Sequence, residues 1–242
     1  MGVISVFGGV KGGVGKSVLA GNAAAVLARH ARVIVADLDP QGTAMEFAAA
    51  RAAAQETRPD LADFSVVSLA TLDDKGLRAE LRRLAAAYDV VVVDPGGRDT
   101  RTQRTGLALA SVAVFAFPPR GPELWTAPKV ATMVEEVRAA NEGLRAVSLV
   151  NRADPDSRPT DNNEALALLA EYAGTLEPLD VMVHEAKVLA NAYLAGLAAH
   201  EVRPLPKRPA EEIAALVEAV FGGLGVPGVG VSAGNEKSTE SV

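Results

Sequence analysis

The chain has 242 residues, 49% of them hydrophobic, a formal net charge of −6 and no cysteine. That length and apolar fraction suffice for a full core, and an α/β chain of this size commonly forms one domain. The missing thiols exclude disulfides, zinc thiolate sites and thiolate-held iron–sulfur clusters; the acidic balance argues against a protein coated in nucleic acid, although a local basic face still binds phosphates.

The first apolar run, "VISVF" from Val3, ends at glycines too soon for a membrane span or a signal-peptide core, so a cytoplasmic protein is expected. A glycine-rich stretch, Gly8 to Leu19, follows and runs into a predicted helix over Ser17–Arg29. Next come a strand, "RVIVAD", a helix over Thr43–Gln55, a strand, "FSVVSL", and a helix over Lys75–Ala87. The run "DVVVVD" has no polar alternation from Val90 to Val93, which predicts a strand buried on both sides near the middle of a sheet. "SVAVFAF", a helix over Pro128–Asn141 and "LRAVSLVN" continue the alternation. Helices are predicted over Asn162–Tyr172, Glu185–Ala198 and Pro209–Phe221, the last with Pro209 in its first turn and Gly222 just past its end. The pattern predicts a doubly wound, mostly parallel sheet with helices on both faces. It assigns one domain to residues 1–224 and a disordered tail to 225–242, where glycine, proline and serine leave no helical face.

Gly12, Gly13 and Gly15 lead into Lys16 and Ser17 between a strand and a helix, the setting of a P-loop. Small residues let successive backbone N–H groups converge on phosphate oxygens, and the helix N-terminus adds a favourable dipole. Lys16 then neutralises β/γ charge and the Ser17 hydroxyl ligates Mg²⁺. A glycine-rich turn can merely connect a strand to a helix, but a lysine would then crowd a positive helix end without a counter-charge. The usual first glycine of the motif is replaced by Val10, with glycines at Gly8 and Gly9 instead, and a second lysine stands at Lys11. Further on, Asp37 and Asp39 close the second strand, and Asp94 closes the most apolar one, where a Walker B aspartate holds Mg²⁺. Gly96 and Gly97 supply a flexible loop able to sense a γ-phosphate, while Arg98 and Asp99 read equally as a surface ion pair.

"KGGVGKS" resembles the deviant Walker A motif of the ParA/MinD superfamily of ATPases, and "DLDPQG" resembles its switch I segment. The resemblance spans residues 1 to 224 and is most specific in the first hundred. It implies a P-loop fold binding ATP and Mg²⁺ through Gly12, Gly13, Val14, Gly15, Lys16, Ser17 and Val18, with Ser17, Asp39 and Asp94 about the metal and Asp37 nearer its outer shell. It implies that Lys11 reaches across a nucleotide-sandwich homodimer to the partner's phosphates, and that Asp39 positions or activates the attacking water. Asn151 and Arg152, in "SLVNR", match a position at which an asparagine contacts adenine; an asparagine there is also a common turn former. Val18 stands where the family usually has threonine, and Thr43 replaces the usual asparagine of switch I.

Within that superfamily the absent cysteines exclude the iron-protein branches, and the tail lacks the basic amphipathic helix that anchors MinD-like members to membrane. No segment ahead of the first strand reads as a helix-turn-helix. The resemblance therefore implies a small ParA-like positioning ATPase, cytoplasmic and nucleoid-associated. Its ATP dimer binds nonspecific DNA, and a ParB-like or other cargo adaptor stimulates hydrolysis. For DNA, the late basic residues Lys187, Arg203, Lys207 and Arg208 are the candidates, with Arg152 and Arg158 beside them. A run such as "RPLPKRP" is otherwise an ordinary solvated connection. The alternative is a metabolic ATP-dependent ligase of the dethiobiotin synthetase type, with a second substrate pocket and no DNA. The single tryptophan, Trp125, is expected in the core or in a dimer contact, and His30, His184 and His200 are expected to be structural or exposed.

Overall fold

Seven β-branched runs form strands β1 (Val3–Gly8), β2 (Val33–Asp37), β3 (Ser65–Ser68), β4 (Val90–Asp94), β5 (Val112–Phe117), β6 (Arg145–Ala153) and β7 (Glu177–His184). They make one sheet in the order β3-β2-β4-β1-β5-β6-β7, with every neighbouring pair parallel. The computed structural model describes residues 1–97, 100–155 and 159–230. Arg98, Asp99 and Arg158, named above from the sequence, lie outside the described residues, as does the chain from residue 231 on.

Strand alternation sends consecutive side chains to opposite faces. Ile4, Val6, Val91 and Val93 meet α3 (Asp74–Ala87), α4 (Arg101–Leu107), α5 (Ala127–Arg138) and α6 (Pro159–Ala170) in one core. Val3, Phe7, Val90 and Val92 meet α1 (Lys16–Leu27), α2 (Thr43–Gln55), α7 (Lys187–Leu194) and α8 (Lys207–Phe221) in the other. Helices thus cover both faces, and β4, third in the sheet, is buried on both sides as its unbroken valines require. Each such aliphatic side chain contributes about 1.5–3 kcal/mol on burial. Capping sets the helix ends: the Asp73 carboxylate accepts from the Gly76 N–H at 2.8 Å and starts α3, whose Leu77, Leu81 and Leu84 face the core.

Two elements escape the sequence reading. Helix α4 has only seven residues, and its apolar spacing is too short to register. Strand β7, "EPLDVMVH", carries a proline and an aspartate; both are tolerated because it is an edge strand, paired to β6 with register shifts. Trp125, in a 3-10 turn over Leu124–Thr126, is 75% exposed and so is not a core residue. Ordered chain also continues past Leu224: Val226 is buried in the second core and Gly228 lies against the His30 side chain, so residues 225–230 belong to the packed structure.

Candidate functional site

The loop between β1 and α1 enters the helix through left-handed glycines, Gly13 at φ 80° and Gly15 at φ 89°, a conformation that side chains resist. It is clamped at both ends. At its start the Gly9 N–H donates to Gln103 Oε1 at 3.0 Å, and Gln103, fully buried on α4, donates in turn to Met133 Sδ at 3.3 Å. Further along the loop, the Asn151 amide donates to the Val14 carbonyl at 2.6 Å, and a Cβ on Gly15 would stand 2.7 Å from that nitrogen. The Asn151 amide nitrogen is therefore committed to holding the loop, while the side chain also lines a small cavity with Arg152, Glu185 and Leu189. Arg152, its neighbour, lines the cleft with φ 57° and lies 3.5 Å from Glu185.

That cleft has a volume of about 870 Å³ and lies over the carboxyl ends of the central strands. Its walls include Gly12, Gly13, Gly15, Lys16, Ser17 and Val18 of the loop, Asp39, Pro40, Gln41 and Thr43 after β2, and Pro95, Gly96, Gly97, Thr100 and Thr102 after β4. The Lys16 ammonium donates to the Lys11 carbonyl at 2.7 Å. Burial lowers the Lys16 pKa, and the nearby charges of Asp94 and Asp39 oppose that shift. Lys11 does not line the cleft. Its side chain is 44% exposed on the rim, with Glu123 Oε1 at 4.0 Å.

The two aspartates that end β2 and β4 are buried. Asp37 accepts the Asp39 N–H at 2.9 Å and the Met45 N–H at 3.3 Å; burial raises its pKa against those bonds. Asp94 is 1% exposed, and burial pushes its pKa up to about 6 although the Ser17 hydroxyl and Gly96 N–H bond to it. Its Oδ2 has no hydrogen-bond partner among the described residues. An orphaned anionic oxygen beside a serine hydroxyl fits a hard divalent cation. Among the described residues no three histidine, cysteine or carboxylate groups converge as a complete protein-only metal site. A cation here would share its coordination with phosphate oxygens and water, the habit of Mg²⁺.

Asp39 joins the two loops beyond the strands. Its Oδ1 accepts the Gln41 N–H at 3.0 Å, and a Cβ on Gly96 would lie 2.5 Å from its Oδ2. Similarly, a Cβ on Gly97 would lie 2.7 Å from Gly12 Cα. The three loops that line the cleft therefore touch where only glycine fits.

The predicted basic residues are not one cluster. Lys187 begins α7, shortly after β7, whereas Arg203, Lys207 and Arg208 lie around the start of α8. All four are exposed, and Arg208 is engaged with Glu212 at 2.8 Å. Gln103, Thr100 and Thr102 were missed from the sequence; the first is detectable only through the fold, while Thr100 is the N-cap of α4 and Thr102 lies in its first turn.

Comparison with known proteins gives consistent relatives. The chain is 34% identical over 164 residues to the maintenance of carboxysome distribution protein A of Gloeobacter kilaueensis, covering 64% of this chain and 65% of that relative. It is 25% identical over 213 residues to the protein of the same name from Halothiobacillus neapolitanus, covering 88% of this chain and 93% of that one. The fold is similar to that of apo McdA from Cyanothece, with a TM-score of 0.71 and 18% identity over 89% of this chain and all of that one. Residues 5–197, carrying the phosphate loop, both strand-end aspartates and Asn151, match the CobQ/CobB/MinD/ParA nucleotide binding domain, and the chain belongs to that family.

Proposed function

We propose that this chain is a ParA-type ATPase that closes as an ATP-bound homodimer, holds nonspecific DNA in that state, and positions a large cargo through an adaptor protein that stimulates hydrolysis. The observation that carries the reading is the separation of the two lysines. Lys16 is buried at the cleft, where it neutralises the phosphates of its own nucleotide, while Lys11 stands half-exposed on the rim with Glu123, 4.0 Å away, as its ion-pair partner among the described residues. A cation so placed serves a phosphate arriving from outside, as an arginine finger does in trans. Similarity to two carboxysome distribution proteins favours cargo positioning over metabolic ligation.

In this reading the backbone N–H groups of Gly12 to Ser17 cradle the phosphates, and the buried Lys16 ammonium offsets their charge. Ser17 and Asp94 would hold Mg²⁺, with Asp39 close by, and the ion would neutralise charge on the phosphates. The Asp39 carboxylate, at the junction of the three loops, accepts a proton of the attacking water and aligns it with the γ-phosphorus. Gly96 and Gly97 lend N–H groups to the same phosphate, so the loop after β4 reports its presence.

The test is size determination and DNA retention with ATP, with ADP and without nucleotide, for the natural chain and for Lys11→Ala and Lys16→Ala. Self-association and DNA retention confined to the ATP state, both lost in Lys11→Ala while that variant still binds nucleotide, are the expected results. A natural chain that stays monomeric with Mg·ATP under blocked turnover sinks the reading.

A further inference from the structure

Away from the cleft, a second cavity of about 370 Å³ opens between the end of α1, the segment after α2 and the stretch before α8. It shares no lining residue with the cleft. Arg29, Arg58 and Arg203 line it, from three separate parts of the chain, together with Asp60, His200 and Glu201.

The charges around it do not cancel. Glu201 is taken by the buried Arg51, at 2.8 and 2.9 Å, and Asp60 is taken in a two-point pair by Arg58 at 2.8 Å. Arg29 and Arg203 have no carboxylate within ion-pair distance among the described residues. Arg203 is instead held by the carbonyls of His200 and Val202, both at 3.0 Å. Four guanidinium groups thus meet two carboxylates, in a chain whose formal charge is −6. The field is felt locally: burial holds His200 below the ordinary imidazole range, Glu201 opposes that, and Arg29, Arg51 and Arg203 reinforce it.

We infer that Arg29 and Arg203, flanked by Arg58, form a phosphodiester-binding pocket through which the ATP-bound protein grips the DNA backbone. The inference rests on the function proposed above and places the grip on Arg29 and Arg58, which the sequence pattern passed over, as well as on Arg203. Guanidinium suits such a grip because its planar fork matches two phosphate oxygens and it stays charged at every relevant pH. A backbone-only contact carries no base information, which suits sequence-independent retention. The start of α8 adds to it, because Ala210 of its first turn lines the cavity and Pro206 gives the helix no side-chain cap.

The experiment is DNA affinity with Mg·ATP across a salt series for the full chain, for Arg29→Ala, for Arg29→Glu with Arg203→Glu, and for Arg82→Glu. Arg82 is exposed on α3, on the other face of the sheet, and controls for reversing one arginine's charge away from the pocket. Each lost phosphate contact lowers the slope of log affinity against log salt by about 0.9. The double substitution is expected to flatten the slope by about two such steps and to weaken retention at least about tenfold near physiological salt, with Arg29→Ala one step and Arg82→Glu unchanged. The Arg29 side chain has no hydrogen-bond partner among the described residues, so Arg29→Ala keeps the test alive if the double variant misfolds. Equal losses in Arg82→Glu and the double variant, or an unchanged slope in Arg29→Ala, overturn the pocket while leaving the ATPase reading intact. A natural chain that retains no DNA in any nucleotide state overturns both.

Discussion

Arg51 and Glu201, 150 residues apart, form a two-point ion pair at 2.8 and 2.9 Å with both side chains almost wholly buried. The remaining polar atoms are also satisfied: Arg51 donates to the carbonyls of Ala62 and Gly196, its guanidinium carbon lies 4.8 Å from the Phe64 ring centroid, and Glu201 accepts the Ala198 N–H at 2.8 Å. The pair ties α2 to the segment ahead of α8. Removing one partner of such a buried pair leaves an uncompensated charge and costs about 3–5 kcal/mol. Arg51→Met is therefore expected to lower the urea midpoint strongly, while Arg51→Met with Glu201→Leu recovers much of the loss.

The same carboxylate sets an acid limit on stability. Burial pushes the Glu201 pKa up, but the Arg51 hydrogen bonds, the Ala198 N–H and the Arg51 charge outweigh it and leave the pKa below its ordinary value. A lowered folded-state pKa means stabilisation that is present above the unfolded pKa of about 4.3 and lost as pH falls through the folded one. Unfolding free energies of the natural chain and of Glu201→Gln, measured from about pH 7 to about pH 3, are expected to converge toward the acid end. A gap that stays constant across that range contradicts this account.

Gly13 and Gly15 separate backbone strain from collision. Both have positive φ, but a Cβ on Gly13 meets nothing within 4 Å, whereas one on Gly15 meets Asn151 Nδ2 at 2.7 Å. Gly13→Ala is expected to cost the left-handed penalty alone, about 1–2 kcal/mol. Gly15→Ala adds a displaced Asn151 and a deformed loop, so its thermal stabilisation by ATP should vanish. Thermal shift with and without nucleotide compares the two directly.

Asp94 is costly to the empty protein. Its charge is buried and one oxygen lacks a hydrogen-bond partner among the described residues, so Asp94→Asn relieves the desolvation of an anion. The nucleotide-free variant should be at least as stable as the natural chain, by about 1 kcal/mol or about 2–4 °C in Tm. Its stabilisation by Mg·ATP should fall, because the cation loses a ligand. A variant less stable than the natural chain without nucleotide contradicts the assignment of strain to this oxygen.

Gln103 offers a complementary case. It accepts the Gly9 N–H within the buried base of the phosphate loop. Gln103→Leu strands that donor, at about 1–3 kcal/mol. Urea unfolding is expected to show the loss, and nucleotide affinity should weaken with it because the loop is released at its root.

The sheet was readable because β1, β2, β4, β5 and β6 are nearly unbroken apolar runs. The phosphate loop was readable because its glycines and lysine sit at fixed spacing. Short α4 and the proline-bearing edge strand β7 were not, since seven residues give too little periodicity and an edge strand tolerates polar residues. Long-range partnerships were beyond reach altogether. Nothing local to Gln103, Arg51 or Asn151 says which backbone group each will meet, because those contacts exist only once the strands have been ordered. The basic residues fared likewise: Lys187 looked like a companion of Arg203 and Lys207, yet it opens α7 while they gather at the start of α8.

Tyr193 gives the switch segment after β2 a lever arm. Its ring stacks on Phe47 at 4.4 Å, fills the space above Gly21, and its hydroxyl donates to the Thr43 carbonyl at 3.3 Å. Thr43 borders the cleft, while Tyr193 belongs to the last turn of α7, three residues ahead of the Gly196 carbonyl that Arg51 holds. One aromatic ring thereby packs the segment bordering the cleft against the turn that Arg51 holds beside the arginine-lined cavity.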